Sequence, residues 1–216
     1  MSPIKIFFSI IITVFASQVM ADQLSPNPQV QLSTEKGNIV IELFPQQAPI
    51  TVDNFIKLVN DYHYDGLIFH RVIKDFMIQS GGFTFDFTPR ESARGSIEHE
   101  SFNGLQNSRG TIAMARTSAP DSATAQFFIN HRDNHRLDGS VDDDKPGYTV
   151  FGRVINGMQV VDTIASVKTT RIYRFADVPV QPIRILTARL LNPKAWTPLE
   201  EPKEKIQSFE RPIPQR

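Results

Sequence analysis

Hydrophobic and polar residues alternate along this chain in short runs that are typical of β-strands. The first run is centred on Val30 and Leu32, the second covers residues 39–43, and the turn between them contains Gly37. Two period-two runs joined by a turn with glycine predict a β-hairpin.

Apolar residues recur at helical spacing in two further places. The first helix is expected to follow Pro49, with Thr51 as its cap and Asp53 in its first turn. The second follows Asn156-Gly157. The apolar positions are Val52, Phe55, Ile56 and Val59 in the first helix, and Met158, Val161 and Ile164 in the second.

Residues 69–82 read as a second hairpin, with a polar turn at Lys74-Asp75 and a glycine pair at its end. Arg71 lies in this stretch close to Phe76 and Met77. A guanidinium beside an apolar wall suits an apolar substrate that carries a carbonyl group. The stretch by itself fits a core hairpin with a surface arginine equally well.

The remaining pattern contains more strands and no further helix. Residues 83–109 are polar and predict long loops, while strands are expected at 111–115, 126–129, 148–151 and 182–191. Many short strands, two helices and no alternation of strands with helices indicate an antiparallel β-barrel or sandwich.

The two ends of the chain differ from this domain. Residues 1–21 carry one charge, at Lys5, and an apolar run before Val19-Met20-Ala21, which predicts a secretory signal peptide cleaved after Ala21. An uncleaved membrane anchor is the alternative, although the apolar run is short for a spanning helix. Residues 192–216 are rich in proline and charge and predict an extended tail, with Trp196 docking it locally.

Composition excludes several functions. Without residues 1–21 the chain has 22 basic and 23 acidic residues, a net charge of −1, which argues against nucleic acid and against a membrane surface as the main partner. The chain has no cysteine, so the domain must be stable without disulfides. The 195 residues after the signal peptide are enough for one sizeable core.

Other catalytic or metal-binding motifs are weak. His131 and His135 have a spacing compatible with a metal if helical, but the glutamate of His-Glu-x-x-His is missing and the surroundings predict a solvated loop. The acidic run 142–144 lacks the spacing of an EF-hand. Neither a phosphate loop, a dinucleotide fingerprint nor a Gly-x-Ser-x-Gly elbow occurs in the sequence, so hydrolysis by a serine–histidine pair has no supporting motif.

Six blocks of sequence do carry a specific signal. They are FHRVI at 69–73, FMIQ at 76–79, RGTIAMAR at 109–116, SATAQFFIN at 122–130, LDG at 137–139 and VFGRV at 150–154. Together they resemble the cyclophilin family, and most of all its exported, periplasmic bacterial branch. The blocks occur in the family's order, and the likeness runs from about residue 30 to residue 191 of this chain.

This resemblance implies a closed antiparallel barrel of eight strands capped by two helices, spanning residues 22–191. It implies peptidyl-prolyl cis/trans isomerase activity on proline-containing polypeptides, without a cofactor or metal, in a protein expected to be a monomer. The implied catalytic residue is Arg71. The implied substrate-binding residues are Phe76, Met77, Phe128 and Leu137 around the proline, Gln79 and Gln126 through their side chains, and Ala115 and Arg116 through their backbones.

The chain departs from the family pattern at three positions. Arg136 and Tyr148 stand at the rim of the implied site, where many eukaryotic members carry tryptophan and histidine, so weakened binding of cyclosporin-type ligands is expected. Ser80 replaces a usual glycine and would be strained if its φ were positive. Alternation along the strand predicts that Phe127 and Ile129 lie in the core, opposite to Gln126 and Phe128.

Two functions remain open at this point. The first is an exported isomerase that assists folding of envelope proteins. The second is a peptide-binding chaperone or scaffold, with the tail recruiting partners. Arg71 favours the first, because a binding module needs no charged donor at that position.

Overall fold

The computed structural model of this protein describes residues 27–200, which form ten strands and two α-helices. The predicted signal peptide and residues 201–216 of the predicted tail lie outside the described residues. The strands are β1 (Gln29–Thr34), β2 (Gly37–Leu43), β3 (Arg71–Ile73), β4 (Met77–Ser80), β5 (Thr111–Met114), β6 (Phe127–Asn130), β7 (Val150–Asn156), β8 (Thr169–Ile172), β9 (Phe175–Pro179) and β10 (Ile185–Leu190), and the helices are α1 (Pro49–Asn60) and α2 (Met158–Ala165).

Eight of the strands form one antiparallel sheet in the order β10-β1-β2-β7-β5-β6-β4-β3. The two predicted hairpins, β1–β2 and β3–β4, are both present. The sheet is a curled half-barrel, and its outer strands are bridged just before they begin. There the Phe69 amide donates to the Ile183 carbonyl over 2.9 Å, and the Ile185 amide donates to the Leu67 carbonyl over 2.8 Å. The fold is therefore mainly β with two helices, as the sequence predicts.

Helix α1 covers the sheet with an apolar face. Val52, Phe55, Ile56 and Val59 are all buried, as their helical spacing predicts. The predicted cap at Thr51 is wrong, because α1 begins at Pro49. The Glu100 carboxylate takes the cap's place and accepts hydrogen bonds from the amides of Ile50 and Thr51, at 3.0 and 2.8 Å. A distant carboxylate thus satisfies amide donors that helix termini leave free.

The core lies between the sheet and its two helices. Phe55 is at its centre, and the ring centroids of Tyr64, Phe151 and Phe127 lie 5.1, 5.1 and 5.7 Å from its own. Helix α2 adds Val161 and Ile164, both fully buried. The part of the chain that the structure describes contains no helix long and apolar enough to cross a membrane.

Strands β8 and β9 form a small separate sheet that the sequence analysis does not predict. Residues 169–179 combine charged, aromatic and apolar side chains without a clear period of two. Their alternation is hidden by a bulge between Thr170 and Ile172 and by Asp177, which has a φ of 61°. Irregular strands of this kind leave little periodic signal.

The described part of the predicted tail lies on α1. Trp196 packs against the main core, as predicted, and the Leu199 amide donates to Asp53 Oδ1 over 2.9 Å. Residues 193–195 form a short 3-10 turn rather than an extended segment.

Gly157 makes the tight connection between β7 and α2. Its φ is 90°, and a Cβ added there would collide with the Asn38 carbonyl oxygen. We expect Gly157→Ala to lower the free energy of unfolding by about 2–4 kcal/mol, measured by chemical denaturation. Gly104, with a φ of 77° and no atom within 4 Å of an added Cβ, is the matched control. Gly104→Ala is expected to cost only about 1 kcal/mol, and equal losses at the two positions would contradict the proposed collision.

Candidate active site

One concave pocket brings together almost all of the residues that the sequence analysis assigns to a site. Its volume is about 200 Å³. The residues that line it are Arg71, Phe76, Met77, Gln79, Ala115, Arg116, Phe128, Leu137 and Tyr148. Gln126 lines an adjoining cavity, which shares Gln79, Ala115 and Arg116 with the pocket.

The register of three neighbouring strands places the central residues in a row. Arg71 of β3 lies opposite Gln79 of β4, and Gln79 lies opposite Phe128 of β6. Residues directly opposite each other in an antiparallel pair share one face of the sheet. The row therefore gives the pocket a cation, an amide and an apolar ring side by side.

In each of these strands, a residue adjacent to the site residue points to the opposite face of the sheet. Val72, Ile78 and Ile129 belong to the main core, as does Phe127, so the prediction from alternation agrees with their positions. Phe128 belongs instead to a second apolar cluster beneath the pocket, with Met77, Ala113 and Val150.

Aromatic and apolar side chains form the floor and one wall of the pocket. Phe128 is only 4% exposed, and its ring meets that of Tyr148 edge-on with 5.6 Å between centroids. Phe76 and Leu137 are partly buried against the same cluster. Such a surface suits a small saturated ring, because an apolar ring gains from leaving water.

The Arg116 side chain braces another wall, a function that sequence reasoning missed. Its guanidinium lies 4.9 Å from the Tyr148 ring centroid. It donates to the carbonyl oxygens of Gly147 at 3.0 Å, Pro146 at 2.7 Å and Thr117 at 2.9 Å. These bonds use most of its donors, so Arg116 holds the 146–148 segment against the pocket.

The two glutamines and Ala115 are already partly engaged. Gln79 Nε2 donates to Gln126 Oε1 over 3.0 Å, which leaves the Gln79 side-chain carbonyl and the Gln126 amino group for a ligand. The Ala115 amide donates to the Gln126 carbonyl at 2.9 Å. The Ala115 amide is therefore already used within the protein.

The three departures from the family pattern have distinct environments. The Arg136 guanidinium lies 4.7 Å from the Phe76 ring centroid, next to the pocket, and Tyr148 lines the pocket itself. Ser80 is fully buried and its hydroxyl donates to the Ile68 carbonyl at 2.9 Å. The condition for strain at Ser80 is not met, because the positive φ of 94° falls on Gly81 and not on Ser80.

Arg71 has a partner that the sequence does not indicate. Its Nε lies 3.6 Å from Oδ2 of Asp177, on strand β9. The two residues are more than a hundred positions apart, and the hairpin that carries Asp177 gives no periodic signal. Only a correct placement of β9 beside β3 could have found it.

The histidines lie outside the pocket. His131 Nδ1 accepts a hydrogen bond from the Asp75 amide, and its Nε2 lies 3.2 Å from Asp162. Within residues 27–200 no three His, Cys, Asp or Glu side chains are grouped so that they could hold a metal ion.

His70 is buried behind Arg71. Its ring lies edge-on to Phe83 at 4.9 Å, and its Nδ1 has no hydrogen-bond partner among the described residues. Burial, reinforced by the charge of Arg71, lowers the pKa of His70 to about 4. The ring is therefore neutral at physiological pH and adds no charge next to the site.

These features match a known family. The family model described as cyclophilin type peptidyl-prolyl cis-trans isomerase/CLD matches residues 29–190. The chain belongs to the cyclophilin family.

Its bacterial relatives share about half of their residues with it. A peptidyl-prolyl cis-trans isomerase of Acinetobacter baylyi is 50% identical over 164 residues, covering 76% of this chain and 86% of that one. The isomerase cyp18 of Streptomyces antibioticus is 53% identical, with 76% and 98% covered. Isomerase B of Escherichia coli is 47% identical, with 72% and 95% covered.

A solved cyclophilin of Cryptosporidium parvum has the same fold. It is 25% identical, has a TM-score of 0.63 and covers 76% of this chain and 97% of its own. A second structure of that protein, with a TM-score of 0.62 and 26% identity, was obtained in the presence of the dipeptide Ala-Pro and covers 75% of this chain and 98% of its own.

The pocket floor supplies the first test of the site. We expect Phe128→Ala to raise KM for a proline peptide by about ten-fold or more, because a buried aromatic ring is lost from the binding surface. Steady-state or NMR exchange kinetics would measure the change, with thermal unfolding as a check on folding. Phe85, which is 65% exposed and does not line the pocket, is the control. An unchanged KM in a folded Phe128→Ala variant would mean that the pocket is misassigned.

The buried histidine gives a pH dependence. Unfolded His70 takes up a proton as the pH falls below about 6.5, whereas folded His70 stays neutral down to about 4, so acid favours the unfolded state. We expect the free energy of unfolding to be about 2–3 kcal/mol lower at pH 4.5 than at pH 7.

The His70 ring signal in NMR identifies the source of this change. Burial also lowers the pKa of His63, so the two rings must be followed separately. A midpoint for His70 near its ordinary value of 6.5 would contradict the assignment.

Proposed function

We propose that Arg71 is the catalytic residue of this isomerase and that the pocket beside it binds the proline ring of flexible polypeptides. The observation that supports this most directly is the shared row of Arg71, Gln79 and Phe128 on one face of the sheet. It combines a permanently charged donor with an apolar surface large enough for a proline ring.

The reaction itself requires no broken bond. A peptide C–N bond resists rotation with a barrier of about 18–20 kcal/mol because of its partial double-bond character. X–Pro bonds populate both isomers and exchange in roughly tens to hundreds of seconds. A catalyst must favour the twisted amide, in which the prolyl nitrogen regains its lone pair.

A guanidinium is suited to this task. Arginine guanidinium groups carry a permanent charge, and the N–H groups of Arg71 can donate to the prolyl nitrogen as the lone pair appears. The lone pair is delocalised in the planar ground state, so this hydrogen bond strengthens on twisting. Stabilisation that is selective for the transition state is what raises kcat.

One donor does not account for the whole rate enhancement. Acceleration to the millisecond scale needs about 10⁵-fold, or about 7 kcal/mol. A single donor directed at transition-state charge supplies only about 3–4 kcal/mol. The remainder is assigned to the pocket of Phe76, Met77, Phe128, Leu137 and Tyr148, which holds the ring and excludes water while the preceding carbonyl rotates.

Polar groups at the rim position the peptide backbone. We assign the side chains of Gln79 and Gln126, together with the backbone of Ala115 and Arg116, to the residues around the proline. The Ala-Pro dipeptide used with the Cryptosporidium parvum structure belongs to the same ligand class. No cofactor takes part in this scheme. Arg136 and Tyr148 replace the tryptophan and histidine that many eukaryotic members of the family carry at the rim, so we expect cyclosporin-type ligands to bind weakly.

We further propose that the protein is exported and acts on envelope polypeptides in the bacterial periplasm. The charge and apolar pattern of residues 1–21 and the bacterial relatives support this. Residues 22–191 would then form the isomerase domain, with a barrel that closes through the bridged segments before β3 and β10, and residues 192–216 would form a tail. Sequencing the amino terminus of the cell-derived protein tests this, since a start at Asp22 is expected and a start at Met1 would contradict it.

The role of Arg71 is tested by its removal. We expect Arg71→Ala to lower kcat by about two to three orders of magnitude and to weaken proline-peptide binding much less, because the lost interaction forms mainly in the transition state. NMR exchange measurements on an Ala-Pro peptide give both quantities. Arg132→Ala is the control, since Arg132 is exposed and does not line the pocket. Near-normal turnover of Arg71→Ala would remove the proposed role.

A further inference from the structure

The second sheet lies directly beside the proposed catalytic residue. Strand β9 packs against β3, and it carries Asp177, whose carboxylate contacts Arg71. Asp177 does not line the proline pocket. A proline ring in that pocket would not touch Asp177, whose ion-pair partner among the described residues is Arg71.

The contact engages one particular edge of the guanidinium. Oδ2 of Asp177 lies 3.6 Å from Nε of Arg71. The closest approach between the two side chains is thus at Nε and not at a terminal amino group. Among the residues that the structure describes, this carboxylate is the one acidic group within 4.0 Å of the Arg71 guanidinium.

The backbone that carries Asp177 is well packed. Phe175, two residues earlier in β9, packs against Phe83 and Phe87, and its ring centroid lies 5.0 Å from each of theirs. Val178, the next residue, is 2% exposed. The backbone of Asp177 has a φ of 61°, which is costly for residues with a Cβ. A neighbourhood that fixes an unfavourable backbone conformation presents the carboxylate from a defined position.

Arginine needs such support at this place. The Arg71 side chain is 44% exposed, and a long exposed side chain samples many rotamers. A donor that must meet the prolyl nitrogen in the twisted amide is most effective when its geometry is set beforehand. Within residues 27–200, Asp177 is the one ion-pair partner that could fix the charged end of Arg71.

We propose that Asp177 is a positioning residue, which holds the Arg71 guanidinium by its Nε edge so that the terminal amino groups face the proline pocket. This inference rests on the proposed role of Arg71. It assigns the β8–β9 hairpin a part in catalysis. The plainer alternative is an exposed ion pair that only fastens the hairpin to the sheet, and exposed pairs contribute little to stability.

The test is Asp177→Asn, which removes the charge and leaves the shape. Asparagine adopts a positive φ readily, so the backbone of the hairpin is retained. We expect kcat on an Ala-Pro peptide to fall by about three- to five-fold, the upper end of what exposed ion pairs provide. KM is expected to stay within about 1.5-fold, since the pocket is untouched.

A matched control separates this effect from the general loss of an ion pair. Asp162 pairs with Arg109 at 2.7 Å, with both side chains 43% exposed, and neither lines the proline pocket. Asp162→Asn is therefore expected to change kcat by less than about 1.5-fold. Thermal unfolding of both variants verifies that they fold equally well.

A double-mutant cycle tests whether Asp177 affects kcat through Arg71. If Asp177 acts through Arg71, the fall caused by Asp177→Asn is lost when the same change is made in the Arg71→Ala chain. Added salt should lower kcat of the unaltered protein towards that of Asp177→Asn and have less effect on the variant, because exposed charges are screened.

The results that overturn the inference are distinct from those that overturn the proposed function. If Arg71→Ala lowers kcat but Asp177→Asn does not, or if Asp177→Asn raises kcat, the positioning role is wrong and the catalytic role of Arg71 stands. An equal fall in the Arg71→Ala background, or an equal fall from Asp162→Asn, also overturns the inference. If Arg71→Ala itself retains normal turnover, the proposed function fails first.

Discussion

The alternation of side chains along β3, β4 and β6 is the constraint on which the site depends. Antiparallel pairing sets Arg71, Gln79 and Phe128 side by side, and the same pairing sends Val72, Ile78 and Ile129 into the core. A shift of one residue in any of these strands would turn its site residue inwards and expose a core residue. The large cost of exposing those core side chains therefore protects the geometry of the pocket.

This arrangement also explains why the site can be built on three- and four-residue strands. Short strands have few backbone hydrogen bonds. Here, however, each strand pairs with a neighbour in the sheet and carries an aliphatic side chain that is fully or almost fully buried. The pocket floor is a second apolar cluster, whose buried residues belong to strands of the sheet itself. Rigid support of this kind keeps a binding surface in place without the ligand.

The basic residues around the pocket have different roles. Arg116 uses its donors on backbone carbonyl groups and so serves as part of the wall. Arg71 has one acidic neighbour among the described residues, Asp177, whose closest approach is at Nε. His70 is neutral because burial opposes its protonation. Of these three groups, Arg71 is therefore the one whose charge is not used to support the wall of the pocket.

The sequence alone determined the strands with clear alternation, the two amphipathic helices and the set of residues that meet in the pocket. These features depend on local periodicity, or on blocks of residues that resemble a known family. The tertiary structure decided what depends on distant partners: Glu100 as the cap of α1, the use of the Arg116 side chain, the irregular β8–β9 hairpin and the contact between Asp177 and Arg71. Such contacts join segments far apart in the chain, and no periodic pattern within either segment records which distant residue it will meet.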